Sequence, residues 1–295
     1  MSCNPKSFEI LPACKRIIVI GDIHGDWNIT KKIFLKYKLI DSNGRWIAEP
    51  KDTKIVQVGD IVDRGGRPDT IGDECSELKI MDFLDECHDK AKLYGGGVYC
   101  ILGNHELMNV DGDFRYVSPK EFREFGNYFK EKRSEDKSLP YGFHSRKAAF
   151  CPGGSIAKHL ASNRYSVLIV GSWLFVHGGI SKTCASKYLL KDINKSVKNW
   201  LNGDNSYRNK SYINSIYHCD DDENSPFWSR VFSDLDDWNE YQGTKDFNDT
   251  IRILNKNNKT SIKGMVVGHS PQFMYDKPLN GACNNRLWRV DVGMS

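Results

Sequence analysis

Three segments of the chain set acid, amide or imidazole side chains beside glycine at the exits of apolar runs. Gly21-Asp22-Ile23-His24-Gly25-Asp26 follows Ile17-Ile18-Val19-Ile20. Gly59-Asp60-Ile61-Val62-Asp63-Arg64-Gly65 follows Lys54-Ile55-Val56-Gln57-Val58, and Gly103-Asn104-His105-Glu106 follows Val98-Tyr99-Cys100-Ile101-Leu102. Later, His177-Gly178-Gly179 and Gly268-His269-Ser270 repeat the arrangement after two further apolar runs. Oxygen and imidazole donors without cysteine suit manganese, iron or zinc, in the mixture of a hydrolytic two-metal site rather than structural zinc. Glycine beside each donor lets backbone and substrate approach closely. A single Asp-x-His arises by chance, and a lone His after a strand is more often a hydrogen-bonded core residue. Five in series, each at a strand exit, point to one centre.

These exits need strands to position them. Helical spacing of Ile29, Ile33, Phe34 and Tyr37 predicts a helix over Trp27 to Tyr37, and Leu78, Met81 and Leu84 predict another over Glu77 to Leu93. Gly95-Gly96-Gly97 breaks the second helix before the third strand. Alternating strands and helices predict a parallel sheet with helices on both faces, where ligands gather at the carboxyl ends of strands. Residues 110–163, rich in charged and aromatic side chains, read as a helical insert roofing the site, with helices near Pro119 to Lys132 and Gly154 to Ala161. Ser166 to Val170 and Trp173 to Val176, joined by Gly171-Ser172, predict a hairpin. Residues 194–225, ending in Asp220-Asp221-Asp222-Glu223, read as a solvated polar loop. Gly264 to Val267 and Arg286 to Val292 read as a last strand pair.

The rest of the composition narrows the class. The chain has 295 residues, 39% hydrophobic and 27% charged, which excludes disorder and allows a sizeable core. A net charge of +4 without a dense Lys/Arg stripe gives no case for nucleic-acid binding. The apolar runs are strand-sized, so no membrane span is expected. Nine scattered cysteines without a Cys-x-x-Cys pair argue for reduced thiols, and the amino terminus carries no secretory pattern. An intracellular, cytoplasmic protein is the expectation.

The motifs also carry a resemblance. Gly-Asp-x-His-Gly, Gly-Asp-x-x-Asp-Arg-Gly and Gly-Asn-His-Glu in this order resemble the signature of the phosphoprotein phosphatase superfamily of metallophosphoesterases, and His177-Gly178 and Gly268-His269 are similar to its later motifs. Met108-Asn109-Val110-Asp111-Gly112-Asp113-Phe114-Arg115-Tyr116-Val117 resembles its Shewanella-like branch, as do Val176-His177-Gly178-Gly179 and Gly268-His269-Ser270-Pro271-Gln272. The resemblance runs from about Arg16 to Ser295. It implies an α/β fold, a central β-sandwich flanked by helices with an inserted helical subdomain. Residues 1–15 would then be an extension and 16–295 one catalytic domain.

Carried over by motif, Asp22, His24 and Asp60 hold one metal, and Asp60, Asn104, His177 and His269 hold the other. Two ions about 3.5–4 Å apart share a water and lower its pKa, giving a hydroxide that attacks phosphorus directly. The metals are two divalent or trivalent transition ions, with manganese first and iron or zinc as alternatives. His105 stands where the family has the general acid, and Asp63 would hold its tautomer. Arg64 offers a planar fork to phosphate oxygens, Asn104 also lies against the phosphate, and Arg230, in Pro226-Phe227-Trp228-Ser229-Arg230, is a second candidate arginine.

Other candidates read differently. His88, His144 and His218 are expected on the surface, and His159 beside a helical carboxyl end. Glu106 is expected to orient a neighbouring ligand or loop. Arg115 is open between a surface ion pair and substrate contact. Asp26 is expected to cap a helix or sit in a loop, with Ile23 turned into the core. The aromatic carboxyl-terminal loop of eukaryotic Ser/Thr phosphatases is not recognisable, so toxin sensitivity and a regulatory subunit are not implied, and no regulatory tail is expected after Gly293-Met294-Ser295. The expected function is a phosphoprotein phosphatase acting on phosphoserine or phosphothreonine, with phosphotyrosine within the branch's range. A nucleotide hydrolase of the symmetrical diadenosine tetraphosphate type and a non-catalytic scaffold are the alternatives.

Overall fold

The first two strands, β1 (Ile10–Leu11) and β2 (Ile17–Ile20), part into different sheets. In the computed structural model, which describes residues 10–65, 73–132, 138–218, 224–235 and 239–294, β2 is joined by β3 (Lys54–Gln57), β4 (Gly97–Ile101) and β5 (Arg164–Tyr165). All neighbours in this sheet are parallel, with Val19, Val56 and Tyr99 in register. The second sheet runs β1-β6-β7-β8-β10-β9, where β6 is Val167–Val170, β7 Trp173–Val176, β8 Gly264–Val267, β9 Asn280–Ala282 and β10 Leu287–Arg289. The predicted hairpin is β6 and β7, antiparallel with Val170 opposite Trp173. The predicted last pair is β8 and β10, which run parallel, with β9 added antiparallel on the outside. Ile10–Leu11 thus belongs to a sheet although it falls inside the expected extension.

Period-two alternation explains the layering. Val56, Val58 and Ile101 share one apolar layer with Leu168, Val170, Phe175 and Val266 of the other sheet. Ile55, Val98 and Cys100 instead join a layer with Phe34, Ile80 and Leu84 of the helices α1 (Trp27–Lys36) and α2 (Glu77–Lys92). The parallel sheet therefore has helices on one face only. The other face is taken by the second sheet, which corrects the expectation of helices on both faces and gives the sandwich. Strand alternation with helices cannot reveal this, because a second sheet and a second helix layer present the same apolar face.

Helix α3 (Asn104–Asp111) ends at the start of the expected insert, which α4 (Pro119–Tyr128), α5 (Phe143–Phe150) and α6 (Ser155–Asn163) fill. Ser118 and Glu121 start α4 with a reciprocal capping box. Further on come α7 (Lys182–Lys187), α8 (Leu190–Leu201), α9 (Tyr207–Ile216) and α10 (Glu240–Asn258). The polar loop expected at 194–225 is corrected by α8 and α9. Leu190, Ile193, Val197 and Leu201 form a buried stripe at helical spacing, which a composition averaged over the wet face conceals. The acidic run 220–223 and residues 1–9 lie outside the described residues. Among the described residues, no helix is long and apolar enough to cross a membrane.

Candidate metal centre

The centre stands on backbone that ordinary side chains avoid. His24, Asp60, Asp63 and His269 all have positive φ, at 46°, 56°, 69° and 69°. Each such residue costs about 1–3 kcal/mol and persists only where its surroundings over-determine it. The surroundings do so. Ile23 and His24 N–H both donate to Asp60 O at 2.9 Å, tying the exit of β2 to that of β3. The Glu106 carboxylate accepts from Ile61 N at 2.7 Å, Val62 N at 3.3 Å, Asp60 N at 3.1 Å and Gly103 N at 2.7 Å, tying the exit of β3 to that of β4. A Cβ at Gly103 would overlap Asp60 Oδ1, and one at Gly59 would come 2.6 Å from His177 Nδ1. Glycine is required at both.

Two groups of donor atoms meet at Asp60. His24, Asp60 and His105 form one, and Asp60, His177 and His269 the other, with the atoms of each group within 4.8 Å of one another. His24 Nδ1 donates to Val62 O at 3.0 Å, and His177 Nδ1 to Val58 O at 2.8 Å. A carbonyl can only accept, so both rings carry their proton on Nδ1 and turn Nε2 inward. His177 Nε2 lies 3.2 Å from Asp60 Oδ2 and 2.9 Å from Asn104 Oδ1. Asp22 is outside both groups; its carboxylate accepts from His269 N at 3.2 Å.

The charges ask for a cation. Burial, and then Asp291, push the Asp22 carboxyl well above the usual range. Burial works the same way on Asp60, but His177, His105 and His24 outweigh it and hold Asp60 well below. Burial would lower His177, yet the Asp60 carboxylate carries it up to about 10. Burial, His177 and Arg230 hold His269 well below its ordinary value, so its ring is neutral, and its Nε2 is buried without a hydrogen-bond partner. Neutral imidazole beside ionised carboxylate is the donor chemistry of a divalent metal. The residues fit such ions.

Behind the donors lies a buried ionic network that the motifs did not reveal. His105 Nδ1 donates to Asp63 Oδ2 at 3.0 Å, and the Tyr116 ring leans on the imidazole at 5.0 Å. Asp63 Oδ1 in turn accepts from Arg146 Nη2 at 3.0 Å and from Asn109 Nδ2 at 2.9 Å. Arg146, fully buried on α5, also pairs with Glu77 at 2.5 Å and donates through Nε to Asn109 at 2.7 Å. Glu77 accepts from Asp63 N at 2.7 Å. Asn109 was findable, since it stands one helical turn after His105 on α3. Arg146 was not: Phe143-His144-Ser145-Arg146-Lys147 reads as a polar surface string.

The remaining candidates divide. Arg64 is mostly buried, with Nη1 at 3.5 Å from Asp26 and Nε buried without a partner; its N–H donates to Glu121 at 2.7 Å. Arg230 is exposed and donates to Ser270 Oγ at 2.8 Å, beside His269. Asp26 caps α1 by accepting from Ile29 N, and Ile23 is buried. Arg115 pairs with Asp113 at the surface. His144 and His218 are exposed, and His159 pairs with Asp85 at 2.9 Å. His88 departs from expectation, being half-buried, with Nδ1 bonded to Val98 O at 2.7 Å.

Glu124 of α4 accepts from Glu77 N at 3.0 Å and Leu78 N at 3.2 Å, at the start of α2. Burial, and then Glu77, push its carboxyl from 4.5 up to about 8. A folded pKa above the unfolded one gives stability fully present below pH 4.5 and lost as pH rises through 8. Glu124→Gln should therefore flatten the melting-temperature profile across that window in scanning fluorimetry. Parallel profiles for the two proteins would contradict the assignment.

The family described as calcineurin-like phosphoesterase matches residues 15–286. Shewanella-like protein phosphatase 2 of Arabidopsis thaliana is 34% identical over 308 residues, spanning 95% of this chain and 72% of that protein. Shewanella-like protein phosphatase 1 of Plasmodium berghei is 30% identical over 281 residues, spanning 95% and 67%. A solved cold-active protein tyrosine phosphatase superposes with a TM-score of 0.70 at 23% identity, covering 96% of this chain and 71% of the other. The enzyme described as from a psychrophilic Shewanella species gives 0.66 at 21%, covering 99% and 76%. These structures share the sandwich and its flanking helices.

Proposed function

Since the chain belongs to the calcineurin-like phosphoesterase family, we propose that it is a metal-dependent protein phosphatase hydrolysing phosphomonoesters on serine, threonine or tyrosine. The observation that carries the reading is the pair of donor groups sharing Asp60. The names of its relatives, protein phosphatases in Arabidopsis and Plasmodium, support a phosphoprotein substrate. Asp22, His24 and Asp60 would hold one divalent ion, and Asp60, Asn104, His177 and His269 the other, with manganese the first candidate. When bound, such ions supply a water of lowered pKa and neutralise phosphate charge.

The chain's own residues do the rest. Arg64, with Nε still unmatched, is suited to grip two phosphate oxygens as a fork. Arg230, held to Ser270 beside His269, is the second candidate for a phosphate oxygen. His105 gives its Nε2 proton to the leaving oxygen, while Asp63 keeps the Nδ1 proton in place and Arg146 and Asn109 hold Asp63. The low exposure of His105, 7%, keeps bulk water from competing for that proton.

Turnover of p-nitrophenyl phosphate and of phosphoserine, phosphothreonine and phosphotyrosine peptides with Mn²⁺ is the expected result. Exclusive use of diadenosine tetraphosphate would transfer the protein to the nucleotide hydrolases. Absence of all turnover and of bound metal would leave a scaffold. Asp60→Asn should empty both metal positions, because one carboxylate serves both groups. Metal analysis of the purified variant checks this, and retention of about two ions per chain would refute the sharing of Asp60.

A further inference from the structure

At β5, the edge of the parallel sheet, lies a cavity of about 490 Å³ that shares no residue with the metal centre. Its lining includes Arg164 of β5, Ser166, and the lysines Lys191, Lys195 and Lys198 of α8. The lysines fall at i, i+4 and i+7, so α8 presents them as one row flanking its buried stripe. Arg164 is only 7% exposed. Its Nη1 pairs with the Asp85 carboxylate and donates to Asn163 O at 3.2 Å, but its Nε and Nη2 are buried without hydrogen-bond partners. Ser166 Oγ on the same wall is also buried and unmatched. Among the described lining residues Asp192 is the one carboxylate beside the three lysines, while Arg164 has its own in Asp85.

Buried polar groups without partners are rare and call for a missing one. Here the missing partner must be an acceptor, since guanidinium offers donors alone. Three ammonium groups at the mouth set its charge, and the concave volume falls in the range of small-ligand sites rather than of flat protein interfaces. We propose that this cavity binds a small phosphate-bearing polyanion, its outer charge met by Lys191, Lys195 and Lys198 and its inner end set against Arg164 and Ser166. Leu102, on the cavity wall, lies two residues before Asn104, so the site borders the root of a metal-centre loop.

Pyrophosphate is the probe, added to the full chain in chelator-treated, metal-free buffer at constant ionic strength and followed by calorimetry. Saturable binding is expected in the parent and in Arg64→Ala, weakened by at least about tenfold in Lys195→Glu/Lys198→Glu. Lys195→Gln, a milder change at an exposed position, should weaken binding in the same direction and covers the case of a misfolded double variant. The proposal fails if binding is lost in Arg64→Ala but kept in the lysine variants, for the ligand then sits at the phosphate fork. It fails equally if the parent shows no saturable binding or if chloride at matched ionic strength competes as well. The assay involves no turnover, so its failure leaves the phosphatase reading standing.

Discussion

His105→Asn should lower turnover of a phosphoserine peptide, whose alkoxide leaving group needs a proton, by about 10²–10⁴-fold, the usual worth of a positioned proton donor, while metal content stays at the parent level. The argument rests on what each side of the ring touches. Nδ1 is bound to Asp63 at 3.0 Å, leaving Nε2 to act, and that atom lies 3.8 Å from Asp60 Oδ2. The same proximity makes His105 a possible donor to a metal, beside His24 and Asp60. The two roles separate cleanly. An acid lost leaves the metal in place and slows esters with poor leaving groups more than p-nitrophenyl phosphate, whose leaving group needs little protonation. A ligand lost empties the site, and metal analysis showing that would overturn the acid assignment.

Arg146→Met should cost about 3–5 kcal/mol of folding stability, the usual penalty for removing one partner of a buried ionic network. Asp63, Glu77 and Glu121 carry carboxylate oxygens within 4.8 Å of one another, and Arg146 is the cation among them. Burial, and then Glu77, already push Glu121 well above its ordinary range, so one guanidinium does not fully offset the acids. Urea unfolding measures the loss. Adding Glu77→Gln to Arg146→Met should recover part of it, since one uncompensated charge goes with the carboxylate. A loss below about 1 kcal/mol in the single variant, the scale of a surface pair, would mean that water already reaches the network.

The candidate residues were legible because acid, amide and imidazole side chains at strand exits come in short strings of unlike chemistry, such as Asp22-x-His24 and Asn104-His105. Strings of that kind stand out against any apolar run. Strands β2, β4, β6, β7 and β8 were legible as short apolar runs, whereas the two- and three-residue edge strands β1, β5 and β9 carry too little pattern to be read. Helices α5, α8 and α9 were not legible, because their buried stripes are narrow and their wet faces dominate any average over the segment. The ionic network escaped for a different reason. Arg146 and Glu77 lie 69 positions apart, and nothing local to either residue tells a buried arginine from an exposed one. Pairing across such distance is settled by packing, so only the folded chain reveals it.

A carboxylate has about four lone-pair directions, and Glu106 spends all of them on main-chain N–H groups from two different strand exits. The separation of Asp60 from Asn104 is therefore an internal coordinate of one side chain's hydrogen bonds. Breathing of the two sheets against each other carries both residues along together without changing that separation, much as a rivet lets two plates move only as one.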